Sequence, residues 1–312
     1  MEERGLSAPL AAVRAFLSAA EFKNLTRTAE VLGMSQPSLS RILASLEREL
    51  GVALFTRSRR GVQLTEAGAR FRARASGIVR QMDGLVSELR TREISPTGRV
   101  AVGLPGVMSE LMSAPLASWF TREMPRARLS VHEGISDEME FELSLGRLDL
   151  ALLISSDTRS RNLELDPIAS EQVYLHGAKG SGYDANRTVG WNALSSTPLI
   201  LPRQSNFLRR KIEEASKRHG FVLDVIMEIN TPSLILSLVQ HGIGFTVLPG
   251  CASHRQRELG SVVASPLRGF KVVWTLAKSR TPAQPALVAA VERKIRQLVA
   301  EQAKRGLWRF VG

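Results

Sequence analysis

Short hydrogen-bonding side chains and one arginine gather at the start of a predicted helix near the N-terminus. Residues 35–50 begin Ser-Gln-Pro-Ser-Leu-Ser-Arg and end before Gly51. In the DNA major groove, glutamine pairs with adenine and arginine with guanine, and small neighbouring side chains let a helix approach the bases. The pattern predicts a DNA-recognition helix, although an amphipathic helix packed inside another kind of domain would share it. Its predicted contacts are Gln36, Ser38, Ser40 and Arg41.

A concentration of positive charge follows this segment. Residues 51–80 hold seven arginines and one acid, Glu66, a net +6 within a chain of net charge +12. Residues 54–65 suggest a strand, a basic turn and a returning strand, which is the pattern of a wing whose tip reaches the minor groove. A surface this unbalanced predicts a polyanionic partner. The predicted wing contacts are Arg57, Arg59 and Arg60.

The sequence carries no recognisable catalytic or metal-binding pattern. Its five histidines are scattered without metal-ligand spacing, and Cys251 is its single cysteine. It has no nucleophile elbow and no phosphate-binding loop. No basic leader and no apolar run of membrane-spanning length is present. We therefore expect a cytoplasmic protein that is not an enzyme, needs no metal or resident cofactor, and does not interact with a membrane.

The elements needed to position the recognition helix can be read from the apolar spacing. Residues 9–20 predict a helix, and a short helix capped by Thr26 then ends at Gly33, where a left-handed turn is expected. Thr65 is expected to cap a long helix from 66 to about 93. Apolar residues alternate along it at spacings of four and three, the repeat of a two-helix coiled coil. The predicted dimerisation seam is Phe71, Ala75, Ile78, Met82, Leu85 and Leu89.

The remainder of the chain predicts a ligand-binding α/β domain. Residues 95–98 break the long helix, and two successive βαβ units then predict two lobes with largely parallel sheets. Ligands of such folds bind beyond the carboxyl ends of the strands, near helix N-termini. Hydroxyls at those turns, with one arginine, suit a small organic anion, although the same residues are ordinary helix caps. The predicted effector contacts are Met108, Ser109, Ser136, Arg203, Ser205 and Thr231.

Taken together, these motifs resemble the LysR-type transcriptional regulator family. The resemblance is carried by the run Ser35–Ser40, by Leu54-Phe55, and by isolated positions: Phe16, Ala29, Leu32, Ile42, Leu46, Glu47, Leu50, Gly51, Arg57, Leu64, Thr65 and Gly68. It implies DNA contacts at Gln36, Pro37, Ser40, Arg41 and Arg59. It also implies promoter binding as a homodimer or homotetramer, with RNA polymerase as a partner if the protein activates. Residues 103–110 and the following helix resemble the branch containing nitrogen-assimilation and cysteine-regulon regulators.

The fold class expected on this basis is α/β overall, with an N-terminal winged helix-turn-helix, a long linker helix and a C-terminal two-lobed periplasmic-binding-protein-like α/β domain. The expected boundaries are 1–65 for the DNA-binding domain, 66–95 for the linker helix and 97–312 for the effector-binding domain. Within the last, lobe I spans about 97–164 and 266–312, and lobe II about 165–265. Two alternatives remain at this point: a constitutive DNA binder without an effector, and a solute-binding protein or enzyme with a helical appendage.

Overall fold

The chain folds into two compact units. The computed structural model describes residues 9–58, 61–90, 97–155, 163–280, 282, 284–306 and 308–310. One unit comprises Met1–Arg92 with Leu145–Arg147, and the other comprises Glu93–Ser144 with Leu148–Gly312. The first is mainly helical and the second is α/β.

The helical unit is a three-helix arrangement followed by a β-hairpin and a long helix. Its elements are α1 Leu10–Phe22, α2 Leu25–Val31, α3 Gln36–Leu50, β1 Phe55–Ser58, β2 Gly61–Leu64 and α4 Glu66–Arg90. Asn24, and not Thr26 as predicted, caps α2, because its side chain accepts a hydrogen bond from the N–H of Arg27 at 3.1 Å. Gly33 adopts the expected left-handed conformation with φ +65°. Thr65 caps α4 through the N–H of Gly68.

Phe16 of α1 is the centre of the core of this unit. It is fully buried, and its ring lies 5.1 Å from the ring of Phe55 on β1 and 5.1 Å from the ring of Phe71 on α4. Leu39, Leu43 and other buried leucines of the unit complete the cluster. One aromatic side chain therefore joins α1, the hairpin and the long helix.

The α/β unit begins with a βαβαβ segment, and its last helix follows its longest strand and precedes a short final strand. Its strands are β3 Gly98–Pro105, β4 Ala127–Gly134, β5 Leu150–Ser155, β6 Leu163–Ala178, β7 Leu199–Leu201, β8 Val225–Glu228, β9 Thr246–Pro249, β10 Val262–Ser279 and β11 Arg309–Phe310. Its α-helices are α5 Gly106–Glu123, α6 Ser136–Ser144, α7 Phe207–Arg218, α8 Pro232–Gln240, α9 His254–Glu258 and α10 Pro285–Lys304. Two 3-10 turns, Trp191–Ser196 and Gly250–Ser253, complete it.

The seven-stranded sheet of this unit is mixed, whereas the sequence predicted largely parallel sheets. Strand β3 pairs in parallel with β4 and β5, and β7 pairs in parallel with β8. The long strands β6 and β10 instead pair with each other in antiparallel register, and both extend through both lobes. Residues 163–170 of β6 pair with 273–279 of β10 in one lobe, and residues 174–178 pair with 262–266 in the other. The expected two-lobed α/β class is confirmed, with β6 and β10 as the strands that both lobes share.

A carboxyl group is buried at the middle of β6, between these two paired segments. Glu171 is 2 % exposed, and it accepts hydrogen bonds from the Cys251 backbone N–H and, at 2.7 Å, from Trp274 Nε1. Burial raises the pKa of Glu171 to about 7, although these hydrogen bonds act in the opposite direction. On the same strand, burial together with the charge of Arg257 lowers the pKa of His176 to about 3.

These shifted groups make the stability of the chain depend on pH. Between about pH 4.5 and 7, Glu171 binds its proton in the folded chain but not in the unfolded chain, so its contribution to stability falls as the pH rises. Glu171→Gln removes this titration. We expect its free energy of unfolding relative to wild type to improve by roughly 1–3 kcal/mol from pH 5 to pH 8, as measured by urea unfolding.

The comparison with wild type also removes the effect of His176. The lowered pKa of that imidazole makes stability fall as the pH drops from about 6.5 towards 3, the opposite sign, but the contribution is present in both proteins. Glu171→Gln also exchanges an acceptor oxygen for an amide, a cost that does not vary with pH. A difference between variant and wild type that is constant with pH would contradict the assignment.

Candidate functional site

Helix α3 presents the polar face that the sequence predicted. Ser35 caps it by accepting from the Ser38 N–H at 3.3 Å, and Pro37 lies in its first turn. Gln36 and Arg41 are exposed. Gln36 Nε2 donates to Ser40 Oγ at 3.3 Å, and an Arg41 guanidinium nitrogen lies 3.4 Å from Ser38 Oγ. These long contacts are weak, so both side chains are free to exchange them for hydrogen bonds to bases.

The opposite side of α3 is anchored to the rest of the unit. Leu39, Leu43 and Leu46 are buried in the core. At its C-terminal half, Glu47 Oε1 accepts hydrogen bonds from the backbone N–H groups of Leu54 and Phe55, at 2.7 and 3.0 Å. The helix and the start of the hairpin are therefore held in one fixed relation.

The hairpin formed by β1 and β2 has the form of a wing. Its strands pair antiparallel, with Phe55 opposite Leu64 and Ser58 opposite Gly61. The hairpin is seated against the end of α1: the Val62 N–H donates to Lys23 O at 3.1 Å, and a Cβ on Gly61 would lie 2.3 Å from that oxygen. Arg59 and Arg60, the predicted tip, lie outside the residues that the structure describes, as does the side chain of Arg57.

The predicted dimerisation seam on α4 requires correction in its first half. Ala75 is 3 % exposed and packs with Val13 and Val79, and Phe71 is half-buried against Phe16. Helix α1 therefore covers these two positions within the same chain. The exposed apolar positions of α4 are Ile78 at 57 %, Met82 at 41 % and Val86 at 41 %. Leu85 and Leu89 lie on α4, but their side chains are outside the described part of the structure.

A cavity of about 210 Å³ opens in the α/β unit where several helices begin. Its wall includes residues from the starts of α5, α6, α7 and α8, so that both lobes contribute. The lining residues with polar side chains are Glu133, Ser136, Glu138, Asn206, Asn230 and Thr231. An ion pair between Asp137 of α6 and Arg210 of α7, at 2.9 Å, joins the lobes beside it. This is the carboxyl-edge location at which doubly wound folds bind ligands.

The predicted effector contacts meet this cavity only in part. Ser136 and Thr231 line it, and Ser136 Oγ accepts a hydrogen bond from the Ile154 N–H at 2.9 Å. Met108 does not, because its side chain is fully buried in the core. Ser109 is not among the lining residues, and its hydroxyl donates to Glu133 Oε2 at 2.6 Å.

The interpretation of Arg203 as the cation of an anion site is also corrected. Neither Arg203 nor Ser205 lines the cavity. The Arg203 backbone N–H donates to Asn230 Oδ1 at 3.0 Å, and the Ser205 carbonyl accepts from Arg210 at 2.6 Å. Both residues therefore shape the turns around the cavity.

The ionisable groups that do line the cavity, Glu133 and Glu138, were missed. Glu133 lies on β4, three residues before the predicted contact Ser136. Glu138 lies in the first turn of α6. Both lie near strand or helix ends that face the ligand in such folds, but carboxylates do not suit the anionic ligand that the sequence suggested. Asn206 and Asn230 lie in the turns before α7 and α8. Asn206 Oδ1 accepts from the Leu208 N–H, and Asn230 Oδ1 accepts from the Arg203 N–H.

Within the described ranges, no group of three or more acidic, histidine or cysteine side chains is arranged to hold a metal ion. Among the helices that the structure describes, none combines the length and apolar character needed to cross a membrane.

Two family models match the chain. Residues 10–69 match the bacterial regulatory helix-turn-helix protein model of the lysR family, and residues 94–300 match the LysR substrate binding domain. The chain is 30 % identical over 241 residues to the nitrogen assimilation regulatory protein nac of Klebsiella aerogenes, covering 76 % of this chain and 77 % of that protein. It is 26 % identical to the HTH-type transcriptional regulator BbuR of Bordetella bronchiseptica, covering 94 % and 90 %.

Solved structures support the fold. A full-length OxyR variant of Pseudomonas aeruginosa superposes with a TM-score of 0.75 at 22 % identity, covering 94 % of this chain and 96 % of that one. Full-length CbnR in complex with its target DNA superposes with a TM-score of 0.66 at 22 % identity, covering 93 % and 99 %. The helix-turn-helix unit and the two-lobed unit thus occur together in these proteins, as they do here. The chain belongs to the LysR family of DNA-binding transcriptional regulators, with a C-terminal effector-binding domain.

Proposed function

We propose that this protein binds promoter DNA near its own gene as a homodimer or homotetramer and regulates transcription from it. The observation that carries the proposal is the face of α3, where exposed Gln36 and Arg41 stand on a helix anchored by buried leucines. The proposed DNA contacts are Gln36, Pro37, Ser38, Ser40 and Arg41 of α3, with Arg57, Arg59 and Arg60 of the wing. The protein would act in the cytoplasm, by binding and without catalysis, and would contact RNA polymerase if it activates.

The C-terminal unit is proposed to sense a small organic molecule. The cavity between the starts of α5 to α8 is the proposed effector site, and its wall includes residues of both lobes. A ligand that contacts both lobes binds one arrangement of them better than another, and this difference in affinity is what a regulatory signal requires. We retain 1–65, 66–95 and 97–312 as the proposed DNA-binding, linker and effector-binding segments.

A mobility-shift titration of the full chain on its own upstream DNA tests this function. We expect a specific shift that resists competitor DNA and weakens steeply with added salt, as phosphate contacts require. Absence of a specific shift at low salt would contradict the proposal. A specific shift that no small molecule alters would favour a constitutive DNA binder.

Replacing Arg41 with alanine is expected to relax base discrimination. Loss of a bidentate arginine–guanine contact costs about 1–3 kcal/mol at one base pair, so the variant should bind the wild-type site and a site altered at that position with similar affinity. The measurement is a titration of both sites at fixed salt. Arg122→Ala removes the same charge from an exposed position of α5 and should retain full discrimination. Equal base discrimination by the two variants would contradict the proposed contact between Arg41 and a base.

Replacing Met82 with glutamate is expected to weaken self-association through α4. Met82 lies four residues from Ile78 and from Val86, and these exposed apolar positions make one stripe on the helix. A carboxylate buried in such a seam costs roughly 3 kcal/mol, or about 100-fold in the dissociation constant. Sedimentation velocity measures the change. Gln81→Glu adds the same charge to a neighbouring exposed position and should sediment as wild type; identical profiles for both variants would contradict the seam.

A further inference from the structure

We propose that the ligand of the effector cavity carries a positively charged nitrogen, which Glu133 and Glu138 bind. This inference rests on the proposed effector site and specifies its chemistry. It reverses the charge that the sequence suggested, because the expected cation, Arg203, does not line the cavity and two carboxylates do.

The charge of the cavity wall is the first observation. Among the described residues that line it, the ionisable ones are Glu133 and Glu138, and no lysine, arginine or histidine is present. Both carboxylates belong to the lobe of β3, β4 and β5. Both residues are exposed, and an anionic ligand beside them would meet two like charges, whereas an ammonium group would meet two opposite ones.

The surrounding protein does not neutralise these carboxylates. Arg210, which reaches α6 from α7, is paired with Asp137 at 2.9 Å and also donates to the carbonyl of Ser205. Glu133 has a neutral donor, Ser109 Oγ at 2.6 Å. In the described part of the chain, no basic side chain pairs with Glu133 or Glu138. Their charge is thus available to a ligand.

The helix N-termini beside the cavity in this lobe also favour a cationic ligand. Helix N-termini favour anions, but here the protein places its own carboxylates at them. Glu133 Oε1 lies 2.9 Å from the position that a Cβ on Gly106 would take, beside the first residue of α5. Glu138 lies in the first turn of α6. Acidic side chains also stabilise helix ends in general, but at these two ends they face the ligand space as well.

The other lobe offers a complementary environment. Helix α8 begins at Pro232, and its N-cap residue Thr231, which lines the cavity, makes no side-chain cap bond, so its hydroxyl is available to a ligand. A hydrogen-bond acceptor on the ligand fits there. A small molecule with an amine at one end and an acceptor at the other, such as an amino acid, would thus contact both lobes.

The test measures binding of matched compounds to the full chain by calorimetry and thermal shift. The cationic probes are 1,4-diaminobutane, L-lysine and agmatine, and the anionic probes of similar length are succinate, glutarate and adipate, all at millimolar concentration. We expect saturable stabilisation by at least one cationic probe and none by the dicarboxylates. Glu133→Gln and Glu138→Gln should each weaken that binding about three- to fivefold, because each removes an exposed charged partner.

Glu110→Gln is the matched control, since Glu110 is an exposed carboxylate of α5 that does not line the cavity. It should leave the affinity unchanged. Binding of cations that is insensitive to Glu133→Gln and Glu138→Gln, stronger binding of the dicarboxylates, or binding of neither class would each overturn the inference. The mobility shift on upstream DNA is measured separately, so DNA binding can succeed where this inference fails.

Discussion

The pairing of β6 with β10 is the interaction on which the α/β unit depends. Each strand runs through both lobes, and the backbone hydrogen bonds between them are the ladder that the two lobes share. The parallel strands β3, β4 and β5 join this ladder on one side, while β9 joins it on the other. Strands β3 and β4, which precede α5 and α6, belong to the sheet that contains this ladder, whereas β7 and β8, which precede α7 and α8, form a separate parallel pair. The buried carboxyl of Glu171 lies on β6 between the two segments that pair with β10.

The helical unit is organised by side chains. Phe16 contacts one aromatic ring on the hairpin and one on α4, and Glu47 binds two backbone N–H groups at the start of the hairpin. The recognition face of α3 contributes little to this core, so its exposed side chains can be chosen for contacts with DNA. Stability and recognition are therefore carried by opposite sides of the same helix.

Local features were predictable from sequence because they depend on neighbouring residues. The left-handed Gly33, the Thr65 cap and the polar face of α3 each depend on residues close in sequence. Features that depend on distant partners were not. Ala75 fits a dimer seam by spacing, but α1 covers it, and no spacing rule reveals that contact. The extent of β6 and β10 depends on pairing between segments about 100 residues apart. The cavity was placed at the correct turns, but its charge was not, because strand ends supply several candidate side chains and only packing selects among them.

The ion pair between Arg210 and Asp137 connects the two lobes beside the cavity through a contact of low free energy. Both side chains are nearly half exposed, at 42 % and 48 %. Pairs this exposed contribute at most about 1 kcal/mol, which changes the ratio of two populations by about fivefold. Added salt screens the pair further. A ligand that enters the cavity beside Asp137 can therefore displace this ion pair at little cost in free energy, and the cost falls further as the ionic strength rises.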